Sequence, residues 1–169
     1  MIRAATFSDA PDIAQLHSDS WKKTYRGMMT DAFLDELVEQ RQQQVWHDAL
    51  RHPLPSDYTA VFEKNDKIVG FVHVKWQKDA VFGTHIDNLH VAEQYKGHGI
   101  GTILMRHIAT ELEYRFGEQH FYLWVLEQNH PARFFYEKVG GQLVETTPNI
   151  MPDGQTHARC RYVWQHFGT

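Results

Sequence analysis

The sequence predicts a mixed α/β domain built on one largely antiparallel sheet that is flanked by helices. Three observations support this fold class. Short alternating segments typical of half-buried strands occur along the chain, segments with three-and-four apolar spacing separate them, and a glycine-rich turn joins a central strand to a helix. The chain has 169 residues, 42% of them hydrophobic, which is enough for one good core, so we expect a single domain over residues 1–169.

The N-terminal region has the pattern of a short strand followed by two helices. Ile2 to Thr6 forms the strand, and we expect Ser8 to cap the first helix, with Pro11 in its first turn. A second helix should start at Thr30 or Asp31 and end before Pro53. Its apolar residues, which we expect to be buried, are Phe33, Leu34, Leu37, Val38, Val45 and Trp46.

Two alternating segments then form a predicted hairpin. Tyr58 to Glu63 and Lys67 to Gln77 are joined by Lys64-Asn65-Asp66, where Asn and Asp tolerate the turn conformation. The second strand alternates Phe71, His73 and Lys75 with Val72, Val74 and Trp76, which is typical of a sheet with one packed face.

The central strand, His85 to Val91, leads into the glycine-rich turn. Alternation predicts His85, Asp87, Leu89 and Val91 on one face and Ile86, Asn88 and His90 on the other. Lys96 to Thr102 then carries a glycine at every second position and enters a helix that Gly117 should end. The apolar positions of that helix are Ile100, Ile103, Leu104, Ile108, Leu112 and Phe116.

A strand, a glycine turn and a helix start together favour anion binding. Glycines let a ligand approach the backbone, and the first turn of a helix offers unpaired N–H groups. The P-loop pattern is absent, and the Gly97-x-Gly99-x-Gly101 spacing differs from that of dinucleotide folds. The alternative is that these glycines only form a tight turn.

The C-terminal region completes the sheet. His120 to Leu126 is predicted as a strand and Pro131 to Val139 as a short helix. Gln142 to Thr147 and Ala158 to Trp164 should form an antiparallel pair around the turn Pro152-Asp153-Gly154.

Two blocks carry a resemblance to a known family. Val91 to Gly101 resembles motif A of the GNAT superfamily of acyl-CoA-dependent N-acetyltransferases, whose signature is Arg/Gln-x-x-Gly-x-Gly/Ala. The signature can be aligned in two ways. With Gln94 to Gly99 it matches literally. We prefer the alignment two residues later, Lys96 to Gly101, which puts lysine at the Arg/Gln position but places Ile100 on the core face. Glu127 to Gly141 resembles motif B, in which Asn, Ala and a Phe-Tyr pair open a short helix closed by glycine.

The resemblance implies an enzyme that moves an acetyl group from acetyl-CoA to a primary amine of a small molecule or peptide, by direct attack in a ternary complex. It implies Tyr136 as the acid that protonates the CoA thiolate, and Asp87, at a position where many members carry Glu, as the base. His85, His90, His120 and Glu127 compete with Asp87. Trp21 and Tyr25 would line the acceptor pocket, although core packing is the commoner role of such a pair. The implied cofactor-binding residues are Leu89, His90, Val91, Lys96, Gly97, His98, Gly99, Ile100, Gly101, Thr102, Asn129, Ala132 and Tyr136.

Two alternatives of other classes stay open: a catalytically silent CoA-binding regulatory module, and a nucleotide-binding protein without acyl transfer. The acceptor is not evident from the sequence. Asp31, Asp35 and Glu36 follow the predicted pocket wall and favour a small cationic amine such as a polyamine or amino sugar, unless they form only a solvated helix face.

The overall charge and composition argue against nucleic acid, a membrane or a metal ion as a partner. A net charge of −4 without a basic cluster argues against nucleic acid. The single Cys160 excludes an intrachain disulfide, no leader-like pattern follows Met1, and no apolar run reaches the roughly 18 residues of a spanning helix. We therefore expect a cytoplasmic protein with no membrane partner. The 12 histidines lack ligand spacing, so no metal is expected, and a homodimer is left open.

Overall fold

The computed structural model describes residues 1–168 and has the predicted fold class, a seven-stranded, mostly antiparallel sheet with helices on both faces. The strand order is β1-β2-β3-β4-β5-β7-β6. The strands are β1 (Ile2–Ala4), β2 (Asp57–Lys64), β3 (Lys67–Asp79), β4 (Gly83–Val91), β5 (Phe121–Leu126), β6 (Gln142–Ile150) and β7 (Thr156–Trp164). The α-helices are α1 (Ala10–Thr24), α2 (Val38–Arg51), α3 (Ile100–Phe116) and α4 (His130–Lys138).

The sheet opens in its middle. β4 and β5 form a parallel pair, and their pairing is limited to Thr84 with Phe121 and His85 with Tyr122. All other neighbouring strands pair antiparallel over longer stretches. Beyond His85 the two central strands diverge, which leaves a cleft in the sheet at the C-terminal half of β4.

Both faces of the sheet are packed around β3. Val72 and Val74 belong to the cluster under α3, whereas Phe71 packs with Ile13 and Trp46 of α1 and α2. The prediction of one packed face for this strand was therefore wrong. Helices cover both sides of β3, so even the intervening His73 is only 6% exposed.

A β-bulge interrupts β4 at Asp87. His73 pairs with Asn88 while the next residue, Val74, pairs with Ile86, so β4 carries one extra residue there. The bulge reverses the alternation, and Ile86 and Leu89 lie on the same face in one core cluster. The predicted division of β4 into two faces was wrong for this reason.

The first helix begins differently from the prediction. Ser8 lies inside a 3₁₀ turn, Phe7–Asp9, instead of capping α1. Thr6 and Asp9 form a capping box at the start of that turn, and the Asp9 carboxylate accepts a hydrogen bond from the Thr6 amide at 2.7 Å.

Four apolar helix residues are more exposed than their spacing suggested. Leu37 ends a π-helical turn, Phe33–Leu37, that precedes α2, and the wider turn rotates it out of the buried stripe, so it is 53% exposed. In α2 the buried positions are four residues apart, Val38, Gln42 and Trp46, which leaves Val45 exposed. In α3 a similar stripe of Ile100, Leu104, Ile108 and Leu112 leaves Ile103 exposed, whereas Phe116 continues the stripe but is the last residue of the helix and is 44% exposed.

The predicted turns have the expected backbone. Asn65 and Asp66 adopt left-handed φ angles of 53° and 58° between β2 and β3, and Gly117 ends α3 at φ 70°. β6 and β7 extend further than predicted, to Ile150 and from Thr156. No helix among residues 1–168 combines the length and the apolar character needed to cross a membrane.

Candidate active site

A cavity of about 630 Å³ lies where β4 and β5 diverge. The C-terminal half of β4, the glycine turn, α4 and the end of α1 surround it. The predicted site residues that line it are Trp21, Tyr25, Asp87, Leu89, His90, Val91, Lys96, Gly97, Gly99, Ile100, Gly101, Thr102, Asn129, Ala132 and Tyr136. The fold therefore brings the two motif blocks and the α1 aromatics to one place.

The glycine turn presents free donors to this cavity. Gly97 and Gly99 have φ angles of 77° and 79°, which side-chain-bearing residues rarely adopt, and α3 begins directly afterwards without a side-chain cap. No acceptor for the amides of Ile100, Gly101 and Thr102 is recorded in residues 1–168, whereas the Ile103 amide donates to Gly99. These amides lie at the positive end of a 17-residue helix, a geometry that is suited to binding an anion.

Ion pairs surround the turn. Lys96 Nζ lies 2.7 Å from the Glu93 carboxylate, and Lys23 Nζ lies 2.9 Å from the same carboxylate. The two ammonium groups lower the pKa of Glu93 to about 2. The His98 ring contacts the Lys96 carbonyl oxygen at 2.9 Å, and His98 does not line the cavity, unlike the rest of the predicted cofactor-binding set.

Two amides of β4 face the gap between the strands. The Ala92 amide donates to Val69 on the β3 side. Because amide directions alternate along a strand, the amides of Leu89 and Val91 point towards β5, which has already diverged. They are suited to stabilise negative charge that develops on a carbonyl oxygen in the cleft.

Two tyrosines share the cavity. Burial raises the pKa of Tyr25 to about 12, and burial together with the neighbouring Tyr25 phenol raises the pKa of Tyr136 further. Tyr136 packs against Phe135 and Trp164 with ring centroids 5.4 and 6.0 Å apart, which holds its ring in place. At neutral pH both phenols are protonated and able to donate a proton.

Asp87 occupies the bulge of β4 at the edge of the cavity. Its carboxylate lies 3.7 Å from the His85 ring and 3.9 Å from Lys75 Nζ. Burial lowers the pKa of His85 to about 4, although Asp87 opposes this shift. At neutral pH His85 is therefore uncharged, and Lys75 is the cation beside Asp87.

His90 also borders the cavity, from the α1 side. Its Nδ1 lies 2.8 Å from Ser20 Oγ, and its ring centroid lies 4.5 Å from that of the buried His17. His17 Nδ1 in turn accepts a hydrogen bond from Trp46 Nε1 at 2.9 Å. Burial lowers the pKa of His90 to about 3, so its imidazole is neutral at physiological pH.

The remaining candidates for the base lie elsewhere: His85, His120 and Glu127 do not line the cavity. The acidic edge suggested by the sequence is largely neutralised. Asp31 and Asp35 contact the two terminal nitrogens of Arg26 at 3.1 and 2.9 Å.

Sequence patterns missed several residues that line the cavity. Trp124 lies on β5, where the alternation of that strand gave no indication of which face borders the cleft. Ser20 reaches the cavity only because α1 crosses behind β4. The other lining residues that were not predicted are Thr24, Ile86, Asn88, Tyr95, Leu123, Val125, Pro131, Phe134, Phe135, Lys138 and Val139.

Metal ligation finds no support in the described part of the chain. No group of three or more His, Cys, Asp or Glu side chains there is arranged to hold an ion. The single Cys160 is buried, with its Sγ 3.6 Å from Thr146 Oγ1.

The sequence matches the model of the Acetyltransferase (GNAT) family over residues 11–141. It is 27% identical over 139 residues to the uncharacterised N-acetyltransferase YuaI of Bacillus subtilis, which covers 80% of this chain and 76% of the relative. It is also 28% identical over 86 residues to an N-alpha-acetyltransferase of Saccharolobus solfataricus, which covers 51% of this chain and 52% of that protein.

Solved structures share the fold at lower identity. The PaiA N-acetyltransferase of Thermoplasma acidophilum, determined in complex with coenzyme A, superposes with a TM-score of 0.71 at 17% identity, covering 94% of this chain and 96% of that one. NAA60 of Arabidopsis thaliana, in complex with a bisubstrate analogue, gives a TM-score of 0.69 at 18% identity, covering 100% and 99%.

Proposed function

Because this chain belongs to the acetyltransferase (GNAT) family, we propose that it transfers an acetyl group from acetyl-CoA to the primary amine of a small molecule or peptide. The amine attacks the thioester directly within a ternary complex. Acetyl-CoA supplies the activated acetyl group, so the chain needs no covalent nucleophile.

The observation that carries this proposal is the set of unpaired amides on two sides of one cavity. The amides of Ile100, Gly101 and Thr102 at the start of α3 suit the pyrophosphate of CoA. The amides of Leu89 and Val91 suit the carbonyl oxygen of the thioester, where charge develops during attack. The cavity connects the two sets.

Proton transfers complete the reaction. The C–N bond forms as the C–S bond breaks; the attacking amine must lose a proton, and the departing thiolate must gain one. We assign the acid role to Tyr136, whose raised pKa keeps it protonated at neutral pH. We assign the base role to Asp87, acting directly or through a water, with His90 as the alternative on the same cavity.

His90 is the weaker candidate for the base. Its pKa of about 3 makes it a poor proton acceptor, because the imidazolium would have to form in a buried environment. Asp87 is partly exposed, with Lys75 Nζ 3.9 Å from its carboxylate, so a proton that it accepts can leave towards solvent.

The test is to incubate the protein with acetyl-CoA and a panel of amines and peptides and to detect the free thiol of CoA. Formation of an N-acetylated product, identified by mass spectrometry, is the expected result. Tight binding of CoA in preference to ATP or NAD, without acetylation of any amine, would favour the silent CoA-binding module. Preference for ATP or NAD over CoA would contradict both.

A further inference from the structure

A cationic and aromatic surface adjoins the acceptor side of the cavity. α1 and α2 pack over β2 and β3, and on the same face of the sheet Trp124, Arg159 and Arg161 remain partly exposed. Trp124 on β5 pairs directly with Arg161 on β7, and Arg159 lies two residues away along β7. The three side chains therefore stand side by side on one sheet face.

The indole of Trp124 contacts both guanidinium groups. The Arg159 Cζ atom lies 3.9 Å, and the Arg161 Cζ atom 4.3 Å, from the Trp124 ring centroid. Such contacts hold an arginine in place without neutralising its charge. Trp124 also lines the cavity together with Asp87, so this arginine pair is one side chain removed from the proposed base.

The two arginines differ in how their charge is balanced. Arg161 Nε lies 2.7 Å from the Glu145 carboxylate, and its Nη1 lies 3.8 Å from Asp79. Arg159 donates only to the hydroxyl of Thr147, at 3.4 Å, and no ion pair to a carboxylate is recorded for it in residues 1–168. Partial burial and the adjacent Arg161 lower the pKa of Arg159 below its ordinary value. Arg159 is thus a partly desolvated cation with no carboxylate recorded within ion-pair distance among the described residues, although Glu145, which pairs with Arg161, attracts it from further away.

Three of the carboxylates that would attract a cationic acceptor already have a cation beside them. Asp31 and Asp35 both bind Arg26, and Asp87 has Lys75 at 3.9 Å. An acceptor with a second positive charge would find its partners neutralised and Arg159 repelling it. An acceptor with a negative group would supply the direct ion-pair partner that is not recorded for Arg159 in residues 1–168.

We propose that the acceptor is a small primary amine that also carries a carboxylate or phosphate group, and that Arg159 binds this anion beside Trp124. This rests on the proposed acetyl transfer and specifies its substrate class. The guanidinium can bind either anion through paired N–H donors. The amine then extends from the anion past Trp124 into the cavity, towards Asp87.

The experiment compares matched acceptors with and without the anion. L-Methionine, L-leucine and β-alanine are offered beside their carboxamides, and O-phosphoethanolamine beside ethanolamine, to distinguish carboxylate from phosphate. We expect kcat/KM to favour the anionic member of at least one pair. Because the amines within a pair differ in basicity, the decisive quantity is the change of this ratio between wild type and Arg159→Met.

In Arg159→Met we expect the ratio to fall by about ten- to a hundredfold, the usual effect of losing a charge-assisted contact. Arg159→Lys should restore part of it, and CoA affinity should not change. The matched control is Arg115→Met, because Arg115 also stacks on aromatic rings, those of Tyr58 and Trp76, but these belong to the α3 side of the sheet, away from Trp124. This control should keep the wild-type ratio.

Equilibrium binding in the presence of CoA separates this inference from the proposed activity. If an anionic amine binds wild type but not Arg159→Met, and no amine is acetylated, the anion site at Arg159 is supported and the proposed acetyl transfer is contradicted. Acetylation without a preference for the anion, or a preference that survives Arg159→Met, overturns the inference. So does a panel in which no anionic amine is bound or acetylated.

Discussion

A β-carbon added to Gly101 would lie 3.0 Å from the Cζ atom of Phe135, so α3 and α4 pack together through the missing side chain of that glycine. Gly97 and Gly99 have open space around an added β-carbon but left-handed backbones. The glycines of one motif therefore serve different purposes: two allow the shape of the turn, and Gly101 allows the helices to approach.

This difference predicts that Gly101→Ala destabilises the fold. Overpacking of this kind costs about 1–3 kcal/mol, measured by urea unfolding. Phe135→Leu removes ring atoms at the contact and should reduce the penalty of Gly101→Ala in the double variant. Additive effects of the two substitutions would contradict the contact.

Gly99→Ala should instead weaken CoA binding. The left-handed φ costs an alanine about 1–2 kcal/mol, and relaxation of the turn would displace the amides at the start of α3. Gly117→Ala is the matched control, because Gly117 also has a left-handed φ and open space but lies at the opposite end of the same helix. Calorimetry with CoA should show loss of affinity only for Gly99→Ala. Equal CoA affinities in the two folded variants would contradict the proposal that the amides at the start of α3 bind CoA.

Tyr136→Phe should lower kcat by about a hundredfold or more while changing CoA affinity much less, because it removes the proton that the thiolate receives. The comparison variant is Tyr25→Phe, which alters the other phenol of the cavity, and Tyr114→Phe is an exposed control. Steady-state kinetics with saturating acetyl-CoA give the measurement. Full turnover in Tyr136→Phe with a loss in Tyr25→Phe would transfer the acid role to Tyr25.

Asp87→Asn should depress kcat, by about a hundredfold if Asp87 is the base, and should alter the limb of the pH profile that reports amine deprotonation. Asp12→Asn, on the exposed side of α1, is the control. A wild-type pH profile in Asp87→Asn, together with a loss of kcat in His90→Gln, would identify His90 as the base.

Trp21→Ala should mainly raise the KM of the acceptor, because Trp21 lines the cavity wall and takes no part in the proton transfers.

Stability should fall as the pH decreases from about 6.5 towards 4, before most carboxylates protonate. Burial lowers the pKa of His85 to about 4 and that of His90 to about 3, whereas both titrate near 6.5 in the unfolded chain. In this window the unfolded state therefore binds more protons, and each excess proton costs about 1.4 kcal/mol per pH unit.

Urea unfolding between pH 7 and 5 measures this slope. His85→Gln should reduce the slope of the unfolding free energy with pH by the contribution of one histidine. His52→Gln, at an exposed position, should leave the slope unchanged. If the stability does not vary over this range, the inference that the buried histidines are uncharged in the folded state is wrong.

The sequence alone was sufficient for the elements whose cause is local. Three-and-four spacing predicted α3, the Asn65-Asp66 turn predicted the β2–β3 hairpin, and Gly117 predicted the end of α3. The glycine turn and the two family blocks also identified twelve of the residues that line the cavity. Backbone freedom and helical periodicity depend on neighbouring residues, so they are visible in the chain itself.

Only the tertiary structure decided the features that depend on pairing between distant segments. The bulge at Asp87 follows from the register of β4 against β3, and it moves Leu89 to the face opposite the one predicted. The divergence of β5 from β4 frees the amides of the cleft and brings Trp124 to the cavity. Register and strand divergence are set by packing against both faces of the sheet. Side-chain alternation along one strand therefore predicts neither of them.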